Sequence, residues 1–175
     1  IMQKNNFLVS GMIDLAQPRL GTKIVFKSDE FFAPANRIIS PNNAVWKEGL
    51  YNENGKWMDG WETRRKRTEG YDCIILALGK PGRLSIINID TSYFNGNQPD
   101  FASIEGCYYE GSIPKDKAGW ETIVKKSKIK PNGHNVFKSK NNNVFTHIRL
   151  NIHPDGGVAR LRLYGKIATE KIYHS

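Results

Sequence analysis

The sequence predicts an all-β, antiparallel protein with the architecture of a β-sandwich or jelly roll. Helical periodicity is almost absent. Short runs of β-branched and aromatic residues recur instead, and Gly, Pro and Asn separate them at intervals of roughly ten residues. The 175 residues, of which 39% are hydrophobic, suffice for one domain with a substantial core. We therefore expect a single domain over residues 1–175.

Seven runs qualify as strands because each combines β-branched or aromatic residues with flanking turn residues. They span residues 23–28, 71–78, 83–91, 101–110, 121–129, 143–152 and 158–167. One helical turn is predicted within residues 29–39, where Pro34 limits its length.

The turn residues predict two hairpins. Residues 79–82, "GKPG", separate two strongly apolar runs whose lack of alternation indicates burial on both faces. Residues 153–157, "HPDGG", join the run that ends at Ile152 to the run that begins at Val158. Gly156 and Gly157 would supply the positive φ of a tight turn there.

Side-chain alternation divides this second hairpin into two faces. Its apolar face, which we expect to be core, carries Ile148, Leu150, Ile152, Leu161 and Leu163. Its polar face carries His147, Arg149, Asn151, His153, Arg160 and Arg162. On an ordinary solvent face these polar residues would contribute solubility alone.

The formal net charge of +9 raises the question of nucleic-acid binding. Eight lysines between Lys115 and Lys140 are spread through an Asn- and Gly-punctuated segment, which is typical of solvated loops and edge strands. No recognition helix, RNP-like aromatic motif or zinc finger appears in the sequence. We therefore expect a small anionic substrate and no nucleic-acid partner.

Cysteine usage and hydropathy favour a cytoplasmic protein without membrane contact. Cys73 and Cys107 lie in apolar, strand-like runs that favour reduced, buried thiols, and no CxxC or HExxH motif is present. No apolar run approaches the roughly 20 residues of a membrane span. The first residues lack the continuous apolar stretch and the cleavage site of a secretory signal.

Three short stretches concentrate groups that bind anions and transfer protons: "WMDGWETRR" (57–65), "IDTSYFNGN" (89–97) and "PDGGVARLR" (154–162). Each contains an Asp-Gly or Asn-Gly pair that is suited to a turn. Turn chemistry alone does not require the dense arginines and tryptophans beside these pairs.

Four longer blocks closely resemble the allantoicase family: "LGTKIVFKSDEFFAPANRII" (20–39), "KWMDGWETRRKR" (56–67), "YDCIILALGKPGRLSIINIDTSYFNGN" (71–97) and "FTHIRLNIHPDGGVARLRLYG" (145–165). They follow the family order, so the resemblance covers nearly the whole chain. It implies a jelly-roll β-sandwich of the galactose-binding-like type, in agreement with the strand count. It also implies a hydrolase of purine catabolism that converts allantoate and water into ureidoglycolate and urea.

The family typically contains two tandem repeats of this domain, and one is present here. We therefore expect that the chain pairs with itself as a homo-oligomer or is one repeat of a longer protein. The principal alternative is a non-catalytic jelly-roll module, derived from an allantoicase repeat, that serves binding or assembly.

The implied reaction breaks a C–N bond at a tetrahedral carbon that bears a carboxylate and two ureido groups. It needs a cation for the carboxylate, polar groups for the ureido arms, an acid for the departing urea and a base for water. No acyl-enzyme nucleophile is required, and no GxSxG motif is present.

Residue chemistry inside the family-like blocks suggests the substrate-binding groups. Arg64, together with Arg160 or Arg162, is expected to hold the carboxylate, because the guanidinium group binds a carboxylate bidentately. Thr91 and Asn97 are expected to bond the ureido groups.

The candidate acid and base are Glu62 and Asp90. His147 is a competing proton carrier, because an unperturbed histidine titrates at about pH 6.5. Asp59 is expected mainly to shape its turn, with a base role as the alternative. A divalent metal is left open, since no spacing demands one although Asp59, Asp90, Asp155 and His147 offer ligands.

The remaining groups of the second block are expected to be structural. Trp57 and Trp61 fit packing at the edge of the core better than the wall of a site. Arg65, Lys66 and Arg67 are expected to form a solvated or interface face.

Overall fold

The computed structural model describes residues 11–169, which form twelve antiparallel strands and two short 3-10 helices. The strands are β1 (Ile13–Asp14), β2 (Lys23–Lys27), β3 (Tyr51–Asn52), β4 (Gly55–Lys56), β5 (Trp61–Glu62), β6 (Asp72–Asp90), β7 (Phe101–Cys107), β8 (Glu121–Lys128), β9 (His134–Lys138), β10 (Phe145–His153), β11 (Gly157–Val158) and β12 (Arg160–Ile167). The 3-10 helices span Pro18–Leu20 and Ala35–Ile39, and the second lies within the predicted helical turn. The all-β, antiparallel prediction is confirmed.

Strand β6 runs for 19 residues without interruption, where the sequence predicted two strands and a hairpin. The turn predicted at residues 79–82 was wrong. A Cβ atom at Gly79 would collide with the backbone carbonyl of Leu20, so this glycine permits a close approach of two backbones. The backbone amide of Gly79 donates to Thr22 Oγ1 at 2.9 Å, and this bond fixes the loop after the first 3-10 helix against the strand.

The two halves of β6 belong to two layers of a sandwich. Residues 72–77 pair with β2 and β10, β10 pairs with β7, and β7 pairs with β8. Residues 82–90 pair with β12 and β9, and β12 pairs with β1. Apolar side chains from both layers pack into one core. The strand therefore connects the layers without a loop.

The second predicted hairpin was also wrong, although its apolar face was correctly predicted. β10 pairs with β6 and β7, whereas β12 pairs with β6 and β1, so residues 154–157 pass from one layer to the other. The five predicted core residues are fully buried: Ile148, Leu150, Ile152, Leu161 and Leu163. Alternation along each strand was sufficient to identify them, because it is independent of the strand's partner.

The polar faces of β10 and β12 are covered by loops. His147 is 3% exposed and Arg160 is 2% exposed. The carbonyl of Ser112 accepts a hydrogen bond from His147 Nε2 at 2.9 Å, and the carbonyl of Asn42 accepts one from Arg160 Nε at 2.9 Å. The alternative of an ordinary solvent face is therefore wrong for both residues, because residues 108–120 and 40–46 cover them.

Strand β9 was absent from the predicted set because most of its side chains are polar. Asn135 is the buried residue of this strand, and Phe137 packs against the core while partly exposed.

Cys107 is buried, Cys73 is half-buried, and both are free thiols. Burial raises the pKa of Cys107 to about 11.

The crossing between the layers gives the first testable prediction. A Cβ atom at Gly157 would collide with the ring of Phe94, which is fully buried. Gly157→Ala should therefore lower the free energy of unfolding by about 1 to 3 kcal/mol through overpacking. Gly133→Ala is the matched control, since its Cβ would lie 3.7 Å from the nearest atom, and it should change stability by less than about 0.5 kcal/mol. Urea unfolding of both variants measures the difference, and equal stabilities would contradict the packing argument.

Candidate active site

Three loops converge at one end of the sandwich, and they carry the three stretches that the sequence singled out. Thr63 and Gly156 exchange two hydrogen bonds of 3.0 Å, one from each backbone amide. The amide of Gly157 donates to the carbonyl of Asn97 at 2.8 Å. The layer-crossing turn thus holds residues 62–67 and 94–98 beside it.

A cleft of about 610 Å³ lies among these loops. Its lining combines acids, cations and amides: Phe32, Glu62, Thr63, Arg65, Lys66, Arg67, Gly96, Asn97, Gln98, Asp100, Pro154 and Asp155. A larger groove of about 690 Å³ runs beside β2, but none of the predicted site residues lines it. The smaller cleft is therefore the candidate site.

Glu62 and Asn97 form the polar centre of this cleft. Asn97 Nδ2 donates to Glu62 Oε2 at 3.1 Å. Burial raises the pKa of the Glu62 carboxyl group, and the hydrogen bond from Asn97 opposes this rise by favouring the carboxylate. Glu62 therefore keeps its proton to a higher pH than an exposed glutamate would.

Residues 64–67, which we call the basic ridge, divide into engaged and free cations. Arg64 is paired outside the cleft with Asp29, at 2.9 Å between Nη2 and Oδ1. Lys66 Nζ lies 3.4 Å from Asp72 Oδ1. Arg65 and Arg67 have no hydrogen-bond or ion-pair partner among residues 11–169, and both line the cleft.

Arg160 and Asp59 form a buried ion pair away from the cleft lining. Arg160 Nη2 lies 2.9 Å from Asp59 Oδ2, and their side chains are 3% and 12% exposed. Arg160 also donates to the carbonyls of Asn42, Asp59 and Ala159. Asp59 Oδ2 accepts from the amide of Val45 at 3.0 Å. Together they fix residues 42–45 onto the outer face of β12.

Arg162 lies in the same outer layer. It donates to the carbonyls of Ser40 and Asn42, at 2.6 and 3.3 Å, and its Nη1 lies 3.8 Å from Asp14 Oδ2. Its guanidinium group therefore stabilises the segment that Arg160 also holds. Burial lowers the pKa of Arg162, and the carboxylate of Asp14 opposes this change.

Asp90 and Thr91 close the turn at the end of β6. Asp90 Oδ1 accepts from the amide and the hydroxyl of Ser92, at 2.8 and 2.6 Å. Thr91 is fully buried, and its hydroxyl donates to the carbonyl of Lys130 at 2.7 Å. These contacts connect the end of β6 to the loop before β9.

His147 is held on the outer face of β10. Its Nδ1 lies 2.8 Å from Thr146 Oγ1, and its Nε2 donates to the carbonyl of Ser112. Burial lowers the pKa of His147, opposed by hydrogen bonds to the backbone of Ser112 and Gly111. The imidazole therefore holds the loop at residues 108–120 in place.

The structure thus brings two of the nine predicted site residues, Glu62 and Asn97, into the cleft. The other seven do not line the cleft and have the partners described above: Asp59, Arg64, Asp90, Thr91, His147, Arg160 and Arg162. Within residues 11–169, no three His, Cys, Asp or Glu side chains meet in a group suited to a metal ion.

Arg65, Arg67 and Gln98 line the cleft but were absent from the predicted site. No local signal separates Arg65 from Arg64, because the partner that engages Arg64 is Asp29, far away in the sequence. Gln98 Oε1 accepts from the amide of Gly96 at 2.8 Å, which leaves its NH₂ group as a donor. Proximity to the Asn-Gly turn was the available clue for this residue.

Comparison with known proteins decides the family. The family model described as "Allantoicase repeat" matches residues 13–168. The chain belongs to the allantoicase family. It is 49% identical over 153 residues to a probable allantoicase of Pseudomonas fluorescens, an alignment that covers 87% of this chain and 46% of the relative. It is also 49% identical over 154 residues to a probable allantoicase of Photobacterium profundum, with 88% and 47% coverage. The chain thus spans about half the length of these allantoicase relatives.

Solved allantoicase structures share the fold. An allantoicase structure superposes with a TM-score of 0.82 at 36% identity, covering 94% of this chain and 52% of that one. Saccharomyces cerevisiae allantoicase gives 0.80 at 37% identity, covering 96% and 51%. A family 32 CBM from C. perfringens NanJ, at 15% identity over 87% of this chain and 98% of that one, gives 0.59 and supports the fold alone. The galactose-binding-like jelly-roll prediction is confirmed.

The two tryptophans of residues 56–67 both pack against the protein. Trp61 is fully buried in the core, and its Nε1 donates to the carbonyl of Asp29 at 2.7 Å. Trp57 packs under two cations, with Arg37 at 5.0 Å and Lys47 at 4.9 Å from its ring.

In the portion of the chain that the structure describes, no helix has the length and apolarity needed to span a membrane.

The buried ion pair yields the second prediction. Arg160→Met should lower the free energy of unfolding by about 3 to 5 kcal/mol, because it leaves the Asp59 carboxylate buried without its partner. Adding Asp59→Asn should recover at least about 1 kcal/mol of that loss. Arg64→Met is the matched control, since Arg64 is largely exposed and should cost less than about 1 kcal/mol. If urea unfolding gave equal losses for Arg160→Met and Arg64→Met, the structural assignment of Arg160 would fail.

Proposed function

We propose that this chain hydrolyses allantoate to ureidoglycolate and urea. Its membership of the allantoicase family and the intact cleft around Glu62 support this function. The main supporting observation is the half-buried carboxyl group of Glu62, which has a raised pKa and accepts a hydrogen bond from an amide. Two cations without partners among the described residues line the same cleft. A proton donor, ureido-binding amides and a carboxylate-binding pair are three of the groups that the reaction needs. The fourth, a base for water, is the carboxylate that the proton donor becomes once its proton has been transferred.

In this proposal, Arg65 and Arg67 bind the carboxylate of allantoate. Arg64 was the first choice from the sequence, but its guanidinium group is occupied by Asp29. An arginine without a partner can offer a bidentate pair of N–H donors to an incoming carboxylate. The cationic side of the cleft therefore orients the central carbon of the substrate.

The amides of Asn97 and Gln98 are proposed to hold the ureido arms. Asn97 uses Nδ2 to bond Glu62, which leaves Oδ1 to accept from a ureido N–H. Gln98 uses Oε1 to bond Gly96, which leaves its NH₂ group to donate to a ureido carbonyl. The two side chains therefore offer complementary acceptor and donor atoms to a urea-like group.

Glu62 is proposed as the general acid. It donates its proton to the nitrogen of the departing urea as the C–N bond breaks, while the nitrogen of the other ureido arm supplies electrons to the central carbon. Water then adds to the imine-like carbon and transfers a proton to the Glu62 carboxylate, which gives ureidoglycolate and restores the acid. The raised pKa of Glu62 keeps its proton available at a pH where an exposed carboxyl group would be ionised.

The assembly and location of the protein belong to the same proposal. Because the chain spans about half the length of its relatives, we propose that it acts together with a second repeat, supplied by another copy or by a longer chain. We further propose a cytoplasmic location without nucleic-acid partners. The non-catalytic module is the alternative, and the combination of Glu62, Asn97 and two free arginines in one cleft argues against it.

The third prediction tests the reaction by urea release from allantoate. Glu62→Gln should lower kcat at least about 100-fold, because the general acid is lost. Arg65→Ala should raise KM about tenfold, since one carboxylate contact is removed. Arg64→Ala is the matched control and should leave both constants nearly unchanged.

Two outcomes would contradict the proposal in different ways. A folded wild-type protein without turnover at any concentration would reject catalysis by this chain and favour the non-catalytic module. Turnover that survives Arg65→Ala but not Arg64→Ala would restore Arg64 as the carboxylate-binding residue.

The fourth prediction concerns pH. A general acid works while protonated, so activity should fall as pH rises through the pKa of Glu62. Asn97→Ala removes the hydrogen bond that favours the carboxylate, which raises this pKa further. The falling limb of the kcat profile should therefore move to higher pH. Asn95→Ala, an exposed neighbour outside the cleft lining, should leave the limb in place. A shift to lower pH in Asn97→Ala would exclude Glu62 as the acid.

A further inference from the structure

The basic ridge follows β5 but lies outside any strand, so few regular hydrogen bonds hold its backbone. Two aspartates from distant parts of the chain hold alternate amides instead. Asp29 Oδ2 accepts from the amide of Arg64 at 2.8 Å, and Asp155 Oδ2 accepts from the amide of Lys66 at 2.8 Å. The second contact lies between Arg65 and Arg67, the two cations without partners.

The two aspartates have different effects on the ridge cations. Asp29 also binds the guanidinium group of Arg64 and thereby removes it from the cleft. Asp155 binds the backbone of Lys66, and no side-chain cation lies within ion-pair distance of it among the described residues. It can therefore fix the ridge without neutralising either free arginine by direct contact.

Asp155 is itself rigidly placed. The carbonyl of the neighbouring Gly156 accepts from the amide of Thr63, and the amide of Gly156 donates to Thr63 Oγ1. The amide of Gly157 donates to the carbonyl of Asn97. The turn that carries Asp155 is thus connected both to the start of the ridge and to the loop that bonds Glu62. A displacement of the ridge relative to this turn would break the hydrogen bond from the Lys66 amide to Asp155.

We propose that Asp155 is a positioning residue for anion binding. Its hydrogen bond to the Lys66 amide holds Arg65 and Arg67 at a fixed position relative to Glu62 and Asn97. This inference rests on the proposed function, because it assumes an anionic substrate in the cleft. If this role is correct, removing Asp155 should weaken anion binding. If Asp155 acted through its charge alone, its removal would tighten anion binding, because a negative charge beside a cationic site would be lost.

The experiment compares Asp155→Ala, Asp155→Asn and Asp100→Ala by kcat and KM. Allantoate binding is measured by calorimetry on the same variants combined with Glu62→Gln, which slows turnover. Asp155→Ala should weaken binding about tenfold, because the ridge loses a charge-assisted hydrogen bond. Asp155→Asn keeps an acceptor for the Lys66 amide and should restore most of the affinity. Asp100→Ala removes the same charge from the cleft without a bond to the ridge, so it should not weaken binding.

Several outcomes would overturn the inference. Tighter binding in both Asp155 variants would assign it an electrostatic effect alone. Full affinity in Asp155→Asn with kcat lost about 100-fold would show that its carboxylate takes part in the chemistry itself. Equal weakening in Asp155→Ala and Asp100→Ala would remove the distinction between position and charge.

Hydrogen exchange separates this inference from the proposed function. If the wild-type protein binds no allantoate, the proposed function fails, and the positioning role is read from the Lys66 amide alone. That amide should exchange at least tenfold faster in Asp155→Ala and at the wild-type rate in Asp100→Ala. An unchanged rate in Asp155→Ala would overturn the positioning role whatever the ligand.

Discussion

The continuity of strand β6 is the constraint on which the rest of the structure depends. One half of this strand is hydrogen-bonded into each layer, so the relative placement of the layers is set by covalent geometry. Its neighbours β10 and β12 must then lie in different layers. The chain between them has to cross the end of the sandwich, and residues 154–157 make that crossing. The cleft forms where this crossing meets residues 62–67 and 94–98.

The crossing turn performs two tasks at once because it has little conformational freedom. Gly157 packs on the ring of Phe94 at a distance that no side chain permits, and Gly156 is bonded to Thr63. The same four residues carry Asp155, which bonds the basic ridge. Packing that stabilises the fold therefore also fixes the distance between the cationic and the acidic sides of the cleft.

Ion pairing distributes the arginines between structure and candidate chemistry. Arg160 is buried and paired with Asp59, and Arg64 is paired with Asp29, whereas Arg65 and Arg67 are left without partners among the described residues. A buried guanidinium group must have its donors satisfied, because an unpaired buried charge costs several kcal/mol, roughly 3 to 5. An exposed one has no such requirement and stays available to a ligand. Burial thus commits Arg160 to the structure, whereas among the exposed arginines of the ridge the ion pair with Asp29 separates Arg64 from Arg65 and Arg67.

The sequence by itself determined the class of fold, the family and the faces of the strands. Turn spacing and side-chain alternation are local properties, so the core residues of β10 and β12 followed from them even though their pairing did not. Tertiary structure decided which strands pair, because "GKPG" and "HPDGG" have turn composition whether or not a hairpin forms. It also decided the cleft: Glu62 and Asn97 were identified from their chemistry, but Arg64 and Arg65 are adjacent and alike in sequence. What separates them is the carboxylate of Asp29, which only folding brings to Arg64.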